Sequence, residues 1–254
     1  MKECPVCGGS GWRPLEKDGL RAVEICDCKK GRDESWWMEH AGIPRRYRQC
    51  DFDHFDALND SLRFAKIKAR GFAENYPSVK GGLLFLGNPG VGKTHLAVGI
   101  LKQAMLQKGV DALFCSYQDL FQRIRESYDP VSRSTESEVL GPVLNTELLL
   151  IDDLGASRFS EWSEDTITYI LNHRYNEKKA TILTSNLPDT APPPDEDARE
   201  RNVDRPGFAG SRFRMVDTLT DRIGLRVRSR LYEMCDVITI LADDFRQTVK
   251  AHQE

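Results

Sequence analysis

Apolar residues in this chain gather in short unbroken runs: Leu83-Leu84-Phe85-Leu86, Ala112-Leu113-Phe114-Cys115, Leu148-Leu149-Leu150-Ile151, Thr181-Ile182-Leu183 and Val237-Ile238-Thr239-Ile240. A run of three or four such residues without polar alternation is the pattern of a strand covered on both faces. Strands are therefore expected near 83–86, 111–116, 148–152, 181–186 and 236–241. Helical periods lie among them. Leu62 to Tyr76 reads as an amphipathic helix ended by Pro77, and helical patterns recur over Leu120–Tyr128 and Trp162–Tyr175. Strands alternating with helices predict an α/β fold, a parallel sheet flanked by helices. Ser132 to Ser137 is polar and reads as a loop. Residues 188–215 are rich in Pro, Asp, Glu and Arg without periodicity, and read as an exposed, flexible and partly disordered loop.

The first strand runs into Gly87-Asn88-Pro89-Gly90-Val91-Gly92-Lys93-Thr94, followed by the helical pattern His95-Leu96-Ala97-Val98-Gly99-Ile100-Leu101. Strand, glycine turn and helix are the setting a phosphate-binding P-loop requires. Glycines let successive backbone N–H groups curl around an anion, and the helix points its positive end at the same phosphates. Lys93 is placed to reach the β- and γ-phosphates, and the Thr94 hydroxyl to hold Mg²⁺. A chain of this length meets the pattern by accident on the order of once in a hundred times, so the motif predicts nucleotide binding.

Glu147-Leu148-Leu149-Leu150-Ile151-Asp152-Asp153-Leu154-Gly155 carries two carboxylates at the end where ligands of open α/β sheets bind. One suits the Mg²⁺ shell; its neighbour can orient or deprotonate attacking water. Thr181 to Asn186 ends in polar groups, and Asn186 is either a γ-phosphate-side group or a turn former before Leu187-Pro188.

Composition adds a second site. The 254 residues include seven cysteines, with 40% hydrophobic and 30% charged residues and a net charge of −3. Cys4-Pro5-Val6-Cys7 and Cys26-Asp27-Cys28 resemble a four-thiolate zinc (Zn²⁺) site, although C-x-C is the less common spacing. So small a segment has little core of its own, and a metal would supply its folding energy. Cys50, Cys115 and Cys235 sit among apolar residues as packing residues. Trp36-Trp37-Met38 is expected to pack between this segment and the main domain. The arginines of Ile43-Pro44-Arg45-Arg46-Tyr47-Arg48 either touch phosphates or form a solvated basic turn. The start Met1-Lys2-Glu3-Cys4-Pro5 lacks an apolar signal core, and no run approaches the ~18 apolar residues that span a bilayer. A cytoplasmic protein with no membrane partner is expected.

Together, the P-loop G-N-P-G-V-G-K-T-H-L-A, the strand L-L-I-D-D-L-G and the T-S-N tip resemble AAA+ ATPases, nearest to the DnaC-type helicase loaders and IstB-type transposition ATPases. The likeness covers roughly residues 50 to 250. It implies a P-loop (AAA+) domain over 51–254, and the cysteine pairs place a zinc-binding segment and linker before it, over 1–50. It implies ATP binding and hydrolysis, and ATP-dependent assembly as a homo-oligomer on single-stranded DNA or a DnaB-type replicative helicase. Gly87 to Thr94 and His95 match the Walker A stretch, Asp152 the Walker B metal carboxylate, Asp153 the catalytic acid and Asn186 sensor 1. Asp153 departs from the usual Glu, which points to slow, regulatory hydrolysis. Asp221 to Leu231 resembles the segment that supplies an arginine finger. Arg230 is the first choice and Arg226 the second, and Arg222, Arg226 and Arg230 share a face at helical spacing. Asp243-Asp244-Phe245-Arg246 resembles the terminal D-Y-R, whose arginine, here Arg246, senses nucleotide in cis. A helical lid is not expected. The alternatives are a transposition helper and a nucleotide-gated adaptor that scarcely hydrolyses ATP.

Overall fold

The computed structural model describes residues 4–7, 12–17, 20–27, 33–129, 135–189 and 217–246. The expected loop at 188–215 lies outside them apart from Pro188 and Asp189. Near the N-terminus an antiparallel hairpin joins β1 (Trp12–Lys17) and β2 (Leu20–Ile25). Next come α1 (Glu34–His40), a 3-10 turn (Arg45–Tyr47), α2 (Asp60–Asn75), β3 (Gly82–Gly87), α3 (Lys93–Lys108), β4 (Ala112–Ser116) and α4 (Tyr117–Glu126). Then follow α5 (Glu136–Asn145), β5 (Leu148–Asp152), α6 (Glu161–Asn176), β6 (Ala180–Ser185), α7 (Leu219–Met234) and β7 (Cys235–Ile240).

Strands β3 to β7 form one parallel sheet in the order β4-β5-β6-β3-β7. The all-apolar strands are explained by two cores. Leu83, Phe85, Leu148, Leu150 and Ile182 face a cluster built with α1, α2 and α3. Their neighbours Leu84, Leu86, Leu149, Ile151 and Leu183 face a cluster built with α4 to α7. Both faces are dry, so no polar alternation survives in the sequence. Strand β3 has β6 on one side and β7 on the other, and the chain leaves it through α3 for the far edge at β4. This reversal opens a crevice at the carboxyl ends of the strands. The P-loop, Asp152 and Asn186 all lie at that end.

The expected elements appear with small shifts of boundary, but three features differ. Part of the expected 132–137 loop is helix: Thr135 caps α5, its hydroxyl accepting from Glu138 N while Glu138 accepts from Thr135 N. That reciprocal cap outweighs the polar composition. The arginine stripe is broken, because Gly224 (φ +82°, ψ 157°) interrupts α7 and separates Arg222 from Arg226 and Arg230. Arg222 instead pairs with Asp217 at 2.7 Å. Third, residues 33–50 pack as part of the main core. Trp37, Met38, Ala41 and Ile43 are buried in the α1–α3 cluster, and Phe114 N of β4 donates to Ala41 O at 2.7 Å. Among the described residues no helix is long and apolar enough to cross a membrane.

Candidate active site

The P-loop joins β3 to α3, whose first turn is opened by Gly92 at φ +90°. Two of its glycines are enforced by neighbours as well as by backbone. A Cβ on Gly90 (φ +81°) would fall on the Asp244 carboxylate, and one on Gly92 would meet the Phe55 ring. The first α3 residue, Lys93, is only 4% exposed. Its ammonium donates to Gly87 O and Asn88 O at 2.8 Å and to Asn186 Oδ1 at 2.6 Å. Burial pushes its pKa down to about 8 against the opposing pull of Asp153 and Asp152. Nearby phosphate oxygens would favour its protonated, charged form.

Thr94 Oγ1 donates to Asp152 Oδ1 at 2.8 Å, and Thr184 Oγ1 of the intervening β6 donates to the same oxygen at 2.7 Å. Burial raises the Asp152 carboxyl pKa, the two threonine hydroxyls oppose it, and Asp153 adds to the rise. A buried carboxylate beside a hydroxyl is a hard-oxygen donor pair of the kind Mg²⁺ takes. Asp153 stands next, at φ +57°, a left-handed conformation that Asp tolerates better than most residues. Its N–H donates to Thr184 Oγ1 at 3.0 Å, and its carboxylate accepts from Asn186 Nδ2 at 2.8 Å. Asn186 thus bridges Lys93 and Asp153 with the two ends of one amide.

The remaining candidates divide. His95 Nε2 bonds to Asp51 O at 2.7 Å and its ring meets Phe55 edge-on, so it fastens the segment at 51–56 to α3. That segment was not singled out in the sequence. With Phe55, Leu58, Leu62, Val91 and Phe245 it lines a largely apolar cleft of about 260 Å³ beside the P-loop. Scattered aromatics either side of a helix cap carry no motif, so only folding reveals the cleft. The turn at 243–246 crosses the P-loop: Phe245 N donates to Gly90 O at 3.3 Å, and the Arg246 charge is close enough to depress Lys93 further. Arg230 is held by Glu233 at 2.5 Å and lies over the Tyr175 ring, whereas Arg226 is 70% exposed and 3.7 Å from Asp165. Both make these contacts on α6 and α7.

In the N-terminal segment, the sulfurs of Cys4, Cys7 and Cys26 lie within 4.8 Å of one another, and Cys4 Sγ is 3.9 Å from Cys26 Sγ. Tetrahedral zinc with Zn–S near 2.3 Å places its sulfurs roughly 3.8 Å apart, so these thiols fit such an ion. Cys28 lies outside the described residues.

Asp51 shapes the cleft-lining turn and carries a pH signature. Burial would raise its pKa, but bonds from His54 N and the His54 ring, with Lys102 nearby, hold it down at about 2, below the ordinary 3.8. A carboxylate depressed on folding stabilises the native state above its unfolded pKa, and that stabilisation is lost as pH falls toward the folded value. The wild-type unfolding midpoint should therefore fall faster between pH 4 and 2 than that of Asp51→Asn, a difference readable by urea titration. Parallel curves would show that the bonds to His54 contribute nothing.

A parallel sheet with a glycine-rich loop at its switch point, a buried lysine and a carboxylate-bearing strand tip define a P-loop nucleotide-binding protein of the AAA+ class. The model of the IstB-like ATP binding protein family matches residues 28–191, and the chain belongs to that family. It is 29% identical over 150 residues to the replicative helicase loader DnaC of Buchnera aphidicola subsp. Baizongia pistaciae, covering 59% of this chain and 61% of that one. The Escherichia coli K12 protein of the same name is 27% identical over 149 residues, 59% of this chain and 60% of that one. The chain thus spans about 60% of the length of these relatives. A crystal structure of the DnaC helicase loader superposes with a TM-score of 0.61 at 32% identity, covering 78% of this chain and all of that one.

Proposed function

We propose that this chain is an ATPase that loads or remodels a DnaB-type replicative helicase, its nucleotide state switching its grip on helicase and single-stranded DNA. The observation that carries the ATPase part is the linkage Lys93–Asn186–Asp153 alongside Thr94–Asp152. In this reading Gly87 to Thr94 wrap the phosphates, and the apolar cleft at Phe55, Leu62 and Val91 takes the base. Thr94 and Asp152 would hold Mg²⁺, which supplies charge neutralisation at the phosphates when bound. Asp153 accepts a proton from, or orients, the attacking water; Asn186 fixes that carboxylate relative to the lysine. Arg246 reads nucleotide from the same chain. Arg226, more readily released from its pairing than Arg230, is offered to the ATP of a neighbouring copy. The helicase assignment is supported by relatives named as helicase loaders, and it is an analogy.

The test has two arms. Steady-state phosphate release, with and without single-stranded DNA, should exceed that of a Lys93→Ala blank. A pull-down of the replicative helicase by the full chain should depend on whether ATP or ADP is supplied. No helicase retained in either state would sink the loader reading. One observation favours a nucleotide-gated adaptor instead: Asp153 is short and already engaged by Asn186. ATP binding with blank-level phosphate release would select it.

The N-terminal cysteines are the proposed zinc site and the helicase-binding handle. Because Trp37 and Met38 belong to the core, the ATPase unit is proposed to begin near residue 33, and deleting 1–50 would damage it. Cys4→Ser is the cleaner probe. The purified chain should hold about one zinc, as a four-ligand site does, and the variant should lose it; a metal-free native protein would end the claim.

A further inference from the structure

The apolar cleft and the P-loop share a wall. Gly90, Val91 and Gly92 line the cleft and also belong to the turn proposed to wrap the phosphates. A nucleotide with its base in the cleft and its phosphates in the loop must therefore carry its sugar along that wall. Facing the wall is the stretch that follows β7. Phe245 N donates to Gly90 O at 3.3 Å, and the Asp244 carboxylate lies where a Cβ on Gly90 would fall. Asp244 Oδ1 also accepts from Arg246 N at 3.0 Å, which fixes the turn against the loop. Asp243, one residue earlier, is exposed and lines the cleft beside this junction.

Most of the polar groups around the cleft are already engaged. The rings of His54 and His95 bond to Asp51, each at 2.7 Å. The Asn59 amide accepts from Leu62 N at 2.8 Å and donates to Leu241 O at 3.0 Å. Asp56 and Asp243 make no hydrogen bond or ion pair among the described residues. Asp56 follows Phe55, on the wall opposite, whereas Asp243 adjoins the turn bonded to Gly90. An ionised carboxylate only accepts, and the donors a nucleotide carries between base and phosphates are its ribose hydroxyls. We propose that Asp243 is a specificity-determining residue that accepts from the ribose 2′-hydroxyl, so that the site selects ribonucleoside over 2′-deoxyribonucleoside triphosphates. The inference rests on the nucleotide-binding reading above and adds to it a choice of sugar.

The affinities of ATP and 2′-deoxy-ATP are measured by calorimetry, at one fixed magnesium concentration, for the full-length wild type, Asp243→Ala and Asp56→Ala. The wild type should bind ATP about tenfold more tightly than 2′-deoxy-ATP, the size of one hydrogen bond to a charged group at a solvent-exposed mouth. Asp243→Ala should bring the two affinities together, and Asp56→Ala should keep them apart. Removing a negative charge near the triphosphate shifts both affinities by a common factor, so the ratio reads the sugar alone. Equal wild-type affinities would overturn the proposal, as would a preference that survives in Asp243→Ala or vanishes in Asp56→Ala. ATP uptake without sugar preference would leave the nucleotide reading standing. If the wild type took up neither nucleotide, that reading would fall first, and this proposal with it.

Discussion

Replacing Lys93 by alanine is expected to weaken ATP binding by at least about a hundredfold, since a buried ammonium aimed at phosphate oxygens makes charge-assisted bonds worth several kcal/mol together. The lysine is nearly inaccessible in the free protein and holds three oxygens, from Gly87, Asn88 and Asn186. Its loss removes the charge and also frees Asn186 from its bridge to Asp153. Stability should change little, because Asn88 and Asn186 are exposed and water can replace the ammonium there. Calorimetry for affinity and urea unfolding for stability separate the two effects. Wild-type ATP affinity in Lys93→Ala would remove the P-loop from the account of this protein.

The second large effect lies far from any motif. Arg174 on α6 is fully buried, and its bonds run to neutral oxygens: Thr181 Oγ1, Val143 O, Thr146 O and Ala180 O, at 2.6–3.0 Å. Burial lowers its pKa to about 10, with Tyr76 and Cys115 opposing. One guanidinium thus ties the end of α5 to the approaches of β5 and β6. Arg174→Met keeps most of the volume but strands several buried carbonyls, each worth about 1–3 kcal/mol when unpaired. A loss of about 3–5 kcal/mol in urea unfolding is expected, and Arg174→Lys should restore only part, since an ammonium cannot span the fork. A variant within about 1 kcal/mol of wild type would show that water satisfies those carbonyls.

Arg174 also shows where sequence reading stops. On paper it is one charge in a helix with mixed neighbours. Its partners come from α5, the α5–β5 connection and β6, 6 to 31 residues away. His95, adjacent to the P-loop threonine and assigned with it, turns out to fasten the 51–56 segment. Spacing gave Arg222, Arg226 and Arg230 a common face, but a positive φ at Gly224 is invisible to a 3.6-residue count.

What the chain alone determined is whatever is encoded locally. Apolar runs dictated strands buried on both sides, and a glycine turn between strand and helix dictated a phosphate cradle. Adjacent carboxylates after an apolar run dictated two acids at a strand end. These hold because a few consecutive residues set backbone conformation and burial together. Tertiary structure alone decided which groups meet across the crevice: the Asn186 bridge, the shared acceptor on Asp152 and the apolar cleft. Those contacts depend on strand order, β6 lying between β5 and β3, and no periodicity along one chain records the order of strands.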